Sequence, residues 1–415
     1  MQLIPEIVAH QEEHTQWRRD IHAHPELAFE ESRTADFVSR QLESFGIHVT
    51  QGVGKTGVVG TLKVGSSDKA IALRADMDAL PMEEINTFAH RSTHPGCMHG
   101  CGHDGHTVIL LAAARYLAES KNFDGTVQFI FQPAEEANAT GSGAKAMIDD
   151  GLFERFPVDN VFALHNGSGF ISGAVATRPD VITASMDLFT VTIQGKGGHG
   201  AFPHVTNDPL MVATQLLIAW QTIISRNIDA TEAAVISATS IVAGDSWNVI
   251  PETAVIKGSV RTRSPDVRVL IEQRFCQLTQ QIAEAFGASV DIDYRAMYPS
   301  CINDPKQTAL LIEVAESIFG TDRVLGDMPP TDMGSEDFAY MLQKKPGCYF
   351  VIGNESVPPD EDPSRGKNIK ELLDQGDFEI KNACHLHQPD YDFNDEIIPQ
   401  GATLFARLVQ KYLSK

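Results

Sequence analysis

The stretch Ala70-Ile71-Ala72-Leu73-Arg74-Ala75-Asp76-Met77-Asp78 begins as an apolar run and ends on two carboxylates. The same form recurs downstream. Val127-Gln128-Phe129-Ile130-Phe131 leads through Gln132 and Pro133 to Glu135-Glu136, and Val161-Phe162-Ala163-Leu164 leads to His165. A fourth run is Cys348-Tyr349-Phe350-Val351-Ile352. Short apolar runs of this kind are what strands buried on both faces look like. An Ala-rich helical stretch, Val108 to Leu117, lies between the first two. Strand alternating with helix predicts an α/β fold with a mostly parallel sheet flanked by helices. In a parallel sheet all strand carboxyl ends share one edge, where α/β proteins place their sites. Asp76, Asp78, Glu135, Glu136 and His165 are therefore expected to converge there. Upstream, Glu6 to about Phe45 reads as two helical stretches interrupted at Pro25.

Around Asp187 the texture changes. Leu188-Phe189-Thr190-Val191-Thr192-Ile193 alternates like a strand with one solvated face. A helix at Pro209–Ser225 follows, then strands at Ala233–Val242 and Ala254–Arg261, a helix at Pro265–Phe286 and a strand at Ser289–Tyr294. The β-α-β-β-α-β order is the ferredoxin-like split βαβ arrangement, an α+β unit. Residues 187–298 are expected to form a domain inserted into a larger one built from 1–186 and 299–415.

With 415 residues, 42% hydrophobic and 21% charged, the chain has the composition of an ordinary globular enzyme and can bury a sizeable core. Its formal net charge of −22 repels phosphate backbones and anionic membranes, so no nucleic-acid or membrane partner is expected. No run approaches the ~18 consecutive apolar residues that span a bilayer. The beginning, Met1-Gln2-Leu3-Ile4-Pro5-Glu6, has neither the basic nor the apolar region of a signal peptide. Six cysteines are too sparse for a disulfide framework, so a reducing, cytoplasmic compartment is expected.

Three patterns mislead. Gly52-Val53-Gly54-Lys55-Thr56-Gly57 satisfies G-x-G-x-x-G but precedes the strand-like Val58–Val64, so it reads as a hairpin turn. A P-loop would need Gly at position 49, which is Val49. His10-Gln11-Glu12-Glu13-His14 lacks the Glu of a zincin helix and reads as a solvated helix face. No G-x-S-x-G occurs, so a serine-elbow hydrolase has no nucleophile.

The densest cluster of reactive side chains is His94-Pro95-Gly96-Cys97-Met98-His99-Gly100-Cys101-Gly102-His103-Asp104-Gly105-His106, with four of the 15 His and two of the six Cys. Thiolate and imidazole suit borderline-soft cations, and Cys101-x-His103 lets two donors face one site from a short turn. The alternative is a Gly-rich loop in which Asp104 caps a helix and the histidines are satisfied. Asp76 and Asp78 could form a polar turn, and Glu135-Glu136 an acidic first helical turn after Pro133. All of these alternatives would have to hold together to exclude a metal site. Adjacent glutamates also suit a division of labour, one holding a cation while the other takes a proton from water, as hydrolysis requires.

These residues resemble the di-metal amidohydrolases that include hippurate hydrolase, N-acyl-amino-acid amidohydrolases, N-acetyl-diaminopimelate deacetylase and the plant auxin-conjugate hydrolases. The motifs run nearly end to end. They are Arg18-Arg19-Asp20-Ile21-His22-Ala23-His24-Pro25-Glu26-Leu27, Leu73-Arg74-Ala75-Asp76-Met77-Asp78-Ala79-Leu80-Pro81 and Met98 to His106. Phe131-Gln132-Pro133-Ala134-Glu135-Glu136, Gly195 to His204 and Asn248-Val249-Ile250-Pro251 follow. Gly334-Ser335-Glu336-Asp337-Phe338 and His387-Gln388-Pro389-Asp390-Tyr391-Asp392-Phe393 close the series.

The resemblance implies two divalent cations per chain (Zn, Mn, Co or Ni), held by Cys101, His103, Glu136, His165 and His387, with Cys101 bridging. His385, two residues from His387, is the competing choice. Glu135 would be the general base and Asp78 would orient a metal-binding His. His199, from the inserted domain, would stabilise an oxyanion, often across a dimer, and Asn248 would help. Arg261 would face substrate, unless it sits in a surface ion pair. The inserted domain would act as lid and dimerisation element, giving a homodimer or a dimer of dimers. His22 and His24 are expected to be structural, and His94, Cys97, His99 and His106 match no ligand. His106 is expected to hydrogen-bond within its helix start, and Cys276, Cys301, Cys348 and Cys384 to be core or incidental thiols. The implied activity is cleavage of N-acyl-amino acids to a carboxylate and a free amino acid. A related dipeptidase, carboxypeptidase or carbamoyl hydrolase is the alternative, and a non-catalytic metal-binding scaffold a more remote one.

Overall fold

The computed structural model describes residues 1–329, 333–356 and 385–415. The chain divides into two compact units, one of Met1–Ile182, Ile302–Pro330 and Asp337–Lys415, the other of Thr183–Cys301 and Thr331–Glu336. No helix among the described residues is long and apolar enough to cross a membrane.

The first unit is built on an eight-stranded sheet. From edge to edge the strands are His48–Val53, Gly57–Val64, Gly125–Gln132, Ala70–Asp76, Asn160–Ile171, Gly347–Glu355, Val175–Ala176 and Val324–Leu325. The four central ones, from Gly125–Gln132 to Gly347–Glu355, are mutually parallel. Antiparallel pairing enters only outside them. Every residue of Ala70–Asp76 is buried, which is why that strand reads as one unbroken apolar run. The helix His103–Ser120 is buried on nearly all sides and packs on the helix Ile398–Tyr412, so its Ala-rich sequence shows little amphipathic contrast. The Gly52–Gly57 segment closes an antiparallel hairpin, with Val53 paired to Gly57.

The opening helix departs from its sequence reading. His14 is not on a solvated face. It lies on the buried side of the helix Gln11–Ala23 with Arg18, Ile21 and His22, its ring 5.1 Å from that of Trp17. Three polar residues on a buried face hide that face from any hydropathy pattern.

The second unit carries a four-stranded antiparallel sheet in the order Ala234–Val242, Thr253–Thr262, Ser185–Gln194, Ser289–Ala296. The helices Pro209–Asn227 and Pro265–Ala285 connect its strands, which is the split βαβ topology. Both helices begin with proline after a capping side chain: Asp208 accepts from Leu210 N–H, and Ser264 from Val267 N–H. Phe189, Trp220 and Phe275 meet in the core, with ring centroids 4.5 to 5.2 Å apart. Trp220 Nε1 donates to Thr279 Oγ1 at 2.9 Å, so the buried indole N–H is satisfied.

Candidate metal centre

Strand Ala70–Asp76 delivers Asp76 at its carboxyl end, with Asp78 two residues beyond. The loop bearing Cys101 enters the helix His103–Ser120 through Gly102 at φ 94. A Cβ at Gly102 would lie 2.4 Å from Asn166 Oδ1, so both the backbone angle and the space call for glycine. This turn brings Cys101 and His103 to the same side. The Cys101 Sγ lies 3.4 Å from His165 Nε2.

Each histidine is oriented by the nitrogen that faces away from that sulfur. His165 Nδ1 donates to Asn166 O at 2.7 Å, leaving Nε2 as the lone-pair atom. Burial, then the neighbouring His106, hold His165 well below the usual imidazole range, so it is a neutral donor. His103 Nδ1 lies 3.0 Å from Asp78 O and 3.3 Å from Asp78 Oδ1. The other oxygen of that carboxylate, Asp78 Oδ2, accepts the Glu136 N–H at 2.7 Å. Glu136 Oε1 in turn lies 3.0 Å from His387 Nε2. The backbone places His387 there: it stands at φ 62, and its N–H donates to Gly100 O at 2.8 Å.

Ligand atoms of Cys101, His103 and His165 lie within 4.8 Å of one another, and so do those of Cys101, Glu136 and His387. The two triads share one sulfur. A third group joins His103, Glu135 and Glu136. Among the described residues, none meets hydrogen-bond geometry with the buried His103 Nε2, a cost that a cation would remove. Burial pushes the Cys101 thiol up to about 12, so the sulfur becomes a thiolate at neutral pH only with a cation beside it. Although burial works against its charge, His387 and His103 hold the Glu136 carboxyl below its usual value. The donor set, one thiol, three imidazoles and a carboxylate in two overlapping triads, fits two divalent cations.

Around these donors lies a buried polar frame that motif reading did not single out. Arg74, inside an otherwise apolar strand, donates to Asp76 Oδ2 at 2.7 Å, to Gln132 Oε1 at 2.9 Å and to Asp337 Oδ1 at 3.2 Å. Asp337 also accepts from Gln132 Nε2, Ser142 Oγ and Ala144 N–H, while its own N–H lies 3.4 Å from Glu135 Oε1. An arginine interrupting a strand buried on both faces was the available signal, because such a charge persists only when paired. His106 needs correction. Its ring does not bond within the helix start: Nδ1 lies 2.6 Å from Asp76 Oδ1, and Nε2 lies 2.6 Å from Asn166 Oδ1 and 3.0 Å from the Asn166 backbone nitrogen. The first turn of that buried helix faces the sheet edge, so the side chain meets strand residues instead of its own backbone.

His22 is buried, 2.8 Å from Asp104 Oδ2 and 3.3 Å from Glu84 Oε1, and His24 Nδ1 donates to Asp20 O at 2.8 Å. Cys97, Cys301 and Cys348 are buried free thiols and Cys276 a half-buried one, whereas Cys384 falls outside the described residues.

His199, Asn248 and Arg261 belong to the second unit. His199 pairs with Val249 in a short antiparallel ladder, and Gly200 N–H donates to Asn248 O at 2.8 Å. Exposed His199 accepts the Ala201 N–H on Nδ1 at 3.0 Å, which puts the proton of the neutral ring on Nε2. Arg261 donates to Met333 O at 2.9 Å and Ser335 Oγ at 3.4 Å.

Against known proteins, the profile of peptidase family M20/M25/M40 matches residues 72–374. A hippurate hydrolase of Campylobacter jejuni subsp. jejuni is 39% identical over 413 residues, 100% of both chains. An N-acetyl-L-cysteine deacetylase of Bacillus subtilis is 40% identical over 81% of this chain and 79% of its own. Among solved structures, the YXEP protein of Bacillus subtilis, described as a dinuclear metal binding peptidase of the M20 family, aligns with a TM-score of 0.78. It is 29% identical, over 98% of this chain and 99% of its own.

Proposed function

The chain belongs to peptidase family M20/M25/M40, and on that premise we propose that it is a metal-dependent amidohydrolase of N-acyl amino acids. The observation that carries this reading is the pair of donor triads sharing Cys101, with the second glutamate, Glu135, beside them. When bound, the cations supply Lewis acidity, which polarises a carbonyl and lowers the pKa of water toward neutrality.

The chain's own residues then have separable tasks. Cys101, His103, Glu136, His165 and His387 would hold the cations, and Asp78 fixes both the His103 ring and the Glu136 backbone. Glu135 accepts a proton from the attacking water as its oxygen bonds to the acyl carbon. The carbonyl electron pair moves onto oxygen, and His199, with its proton on Nε2, donates a hydrogen bond to that oxyanion. When the pair returns, the C–N bond breaks and Glu135 passes its proton to the departing amine. A carboxylate and a free amino acid leave. Asn248 and Arg261 are assigned to substrate binding.

Zn, Mn, Co or Ni would each suit this donor set. A cytoplasmic setting agrees with five free thiols and no disulfide among the described residues. A homodimer, or a dimer of dimers, would form through the second unit. Its edge strand Ala234–Val242 leaves Val235, Ile241 and Val242 exposed, the kind of edge a second copy covers. A monomeric mass in solution would remove that proposal.

The test of function is hydrolysis of hippurate, N-acetyl amino acids and an indole-acetyl amino acid by metal-stripped protein, with and without added Mn, Zn or Co. Dipeptides and carbamoyl amino acids run in parallel. Cation-restored cleavage of acyl amino acids, at about two cations per chain, supports the proposal. Cleavage of dipeptides or carbamoyl compounds alone would replace it.

A further inference from the structure

Glu31 lies in no motif assigned above, yet its carboxylate is fully buried and turned toward the catalytic loop. Oε1 accepts the Phe29 N–H at 2.9 Å and the Ala134 N–H at 2.8 Å, and Oε2 accepts the Thr56 hydroxyl. The segments it joins are backbone outliers. Phe29 has φ 64, Ala134 has φ 52, and Lys55, next to Thr56, has φ 85. These are three of the six non-glycine residues with positive φ among the described residues. L side chains rarely adopt that conformation, and it persists where the surroundings enforce it.

Ala134 is the residue that matters for chemistry. The strand Gly125–Gln132 ends two residues before it, and the 3-10 turn Glu135–Thr140 begins directly after it. A left-handed residue thus stands between the strand and the turn that carries Glu135. It is held at both ends: its N–H by Glu31, and its carbonyl by the Gly143 N–H at 3.0 Å. A capping role does not account for Glu31. It precedes the helix Ser32–Ser44, but its side chain makes no cap hydrogen bond there. Glu26 does that work, accepting from Arg33 and Thr34 N–H at 2.9 and 2.8 Å.

We propose that Glu31 is a positioning residue for the general base, clamping Ala134 in its left-handed conformation so that Glu135 faces the reacting water. This rests on the amidohydrolase reading of Glu135. Glu136 is tied separately, through its N–H to Asp78, so loss of the clamp disturbs the base more than the cations. Burial, then the charge of Asp78, push the Glu31 carboxyl up to about 7. A neutral acceptor is therefore close to its natural state, and glutamine is the conservative replacement.

The experiment compares wild type, Glu31→Gln, Glu31→Ala and Glu31→Ala/Ala134→Gly in kcat, KM, thermal midpoint and cations per chain. Glu31→Ala is expected to lose at least about tenfold in kcat, with KM within about twofold and cation content retained. Glu31→Gln is expected to recover most of that loss. Ala134→Gly in the Glu31→Ala background is expected to recover part, because glycine takes φ 52 without steric cost. A lowered thermal midpoint with unchanged kcat, or no recovery from the added glycine, would overturn the clamp. Should Glu31→Ala fail to fold, Ala134→Val disfavours the same conformation with Glu31 intact. Reduced kcat with cations retained would then support the proposal, and retained kcat would overturn it. A wild type inactive on every acyl amino acid would instead remove the functional reading and the inference with it.

Discussion

The two oxygens of Asp78 serve two different residues of the candidate donor set: Oδ2 accepts the Glu136 N–H at 2.7 Å, and Oδ1 lies 3.3 Å from His103 Nδ1. One buried carboxylate therefore sets the tautomer of an imidazole and the height of a glutamate. Asp78→Ala is expected to weaken cation binding about 10- to 100-fold, the range for removing such an outer partner. Competition with a chelator measures it. Affinity within a factor of two of wild type would contradict this role.

The shared sulfur makes a sharper prediction. Because Cys101 belongs to both triads, Cys101→Ala should weaken both cation sites, not one. Counting cations per chain at graded chelator concentrations would show the two lost together. Retention of one at wild-type affinity would mean that the sulfur serves a single site.

Acid sensitivity follows from the buried helix face. Burial pushes His14 down from 6.5 to about 4, so the folded state keeps it neutral while the unfolded chain takes up a proton. Stability that is complete above about 6.5 is lost as pH falls toward 4, by about 3 kcal/mol for this residue. His22 has the opposite sign: burial opposes its charge, but hydrogen bonds to Asp104 and Glu84 raise it to about 9. Its contribution is present below about 6.5 and fades as pH rises to about 9. Thermal midpoints of metal-stripped protein should therefore fall less between pH 6.5 and 4 in His14→Leu than in wild type. Parallel curves would contradict the assignment.

What could be read from the sequence divides along a physical line. Strand and helix periods are local, so Ala70–Asp76 announced itself as a buried strand, and the segment around Phe189 as a half-solvated one. The alternation of those periods was enough for the α/β fold with its split βαβ unit. The motif residues Cys101, His103, His165, Glu136 and His387 do come together, because strand ends and one Gly-hinged turn carry them to a common edge. What stayed hidden depends on contacts between distant segments. Glu31 and Ala134 are 103 positions apart, and no local pattern marks their hydrogen bond. His106 reaches Asp76 and Asn166 for the same reason. His14 reads as solvated in the sequence because polar residues on a buried face invert the pattern that hydropathy follows.

The most direct test of the central claim is Glu135→Gln, assayed on acyl amino acids with cation content measured in the same samples. If Glu135 moves the proton, the variant keeps about two cations per chain and KM changes little, while kcat falls about 10²- to 10⁴-fold. A kcat within tenfold of wild type at full cation loading would contradict the assignment of Glu135 as the general base.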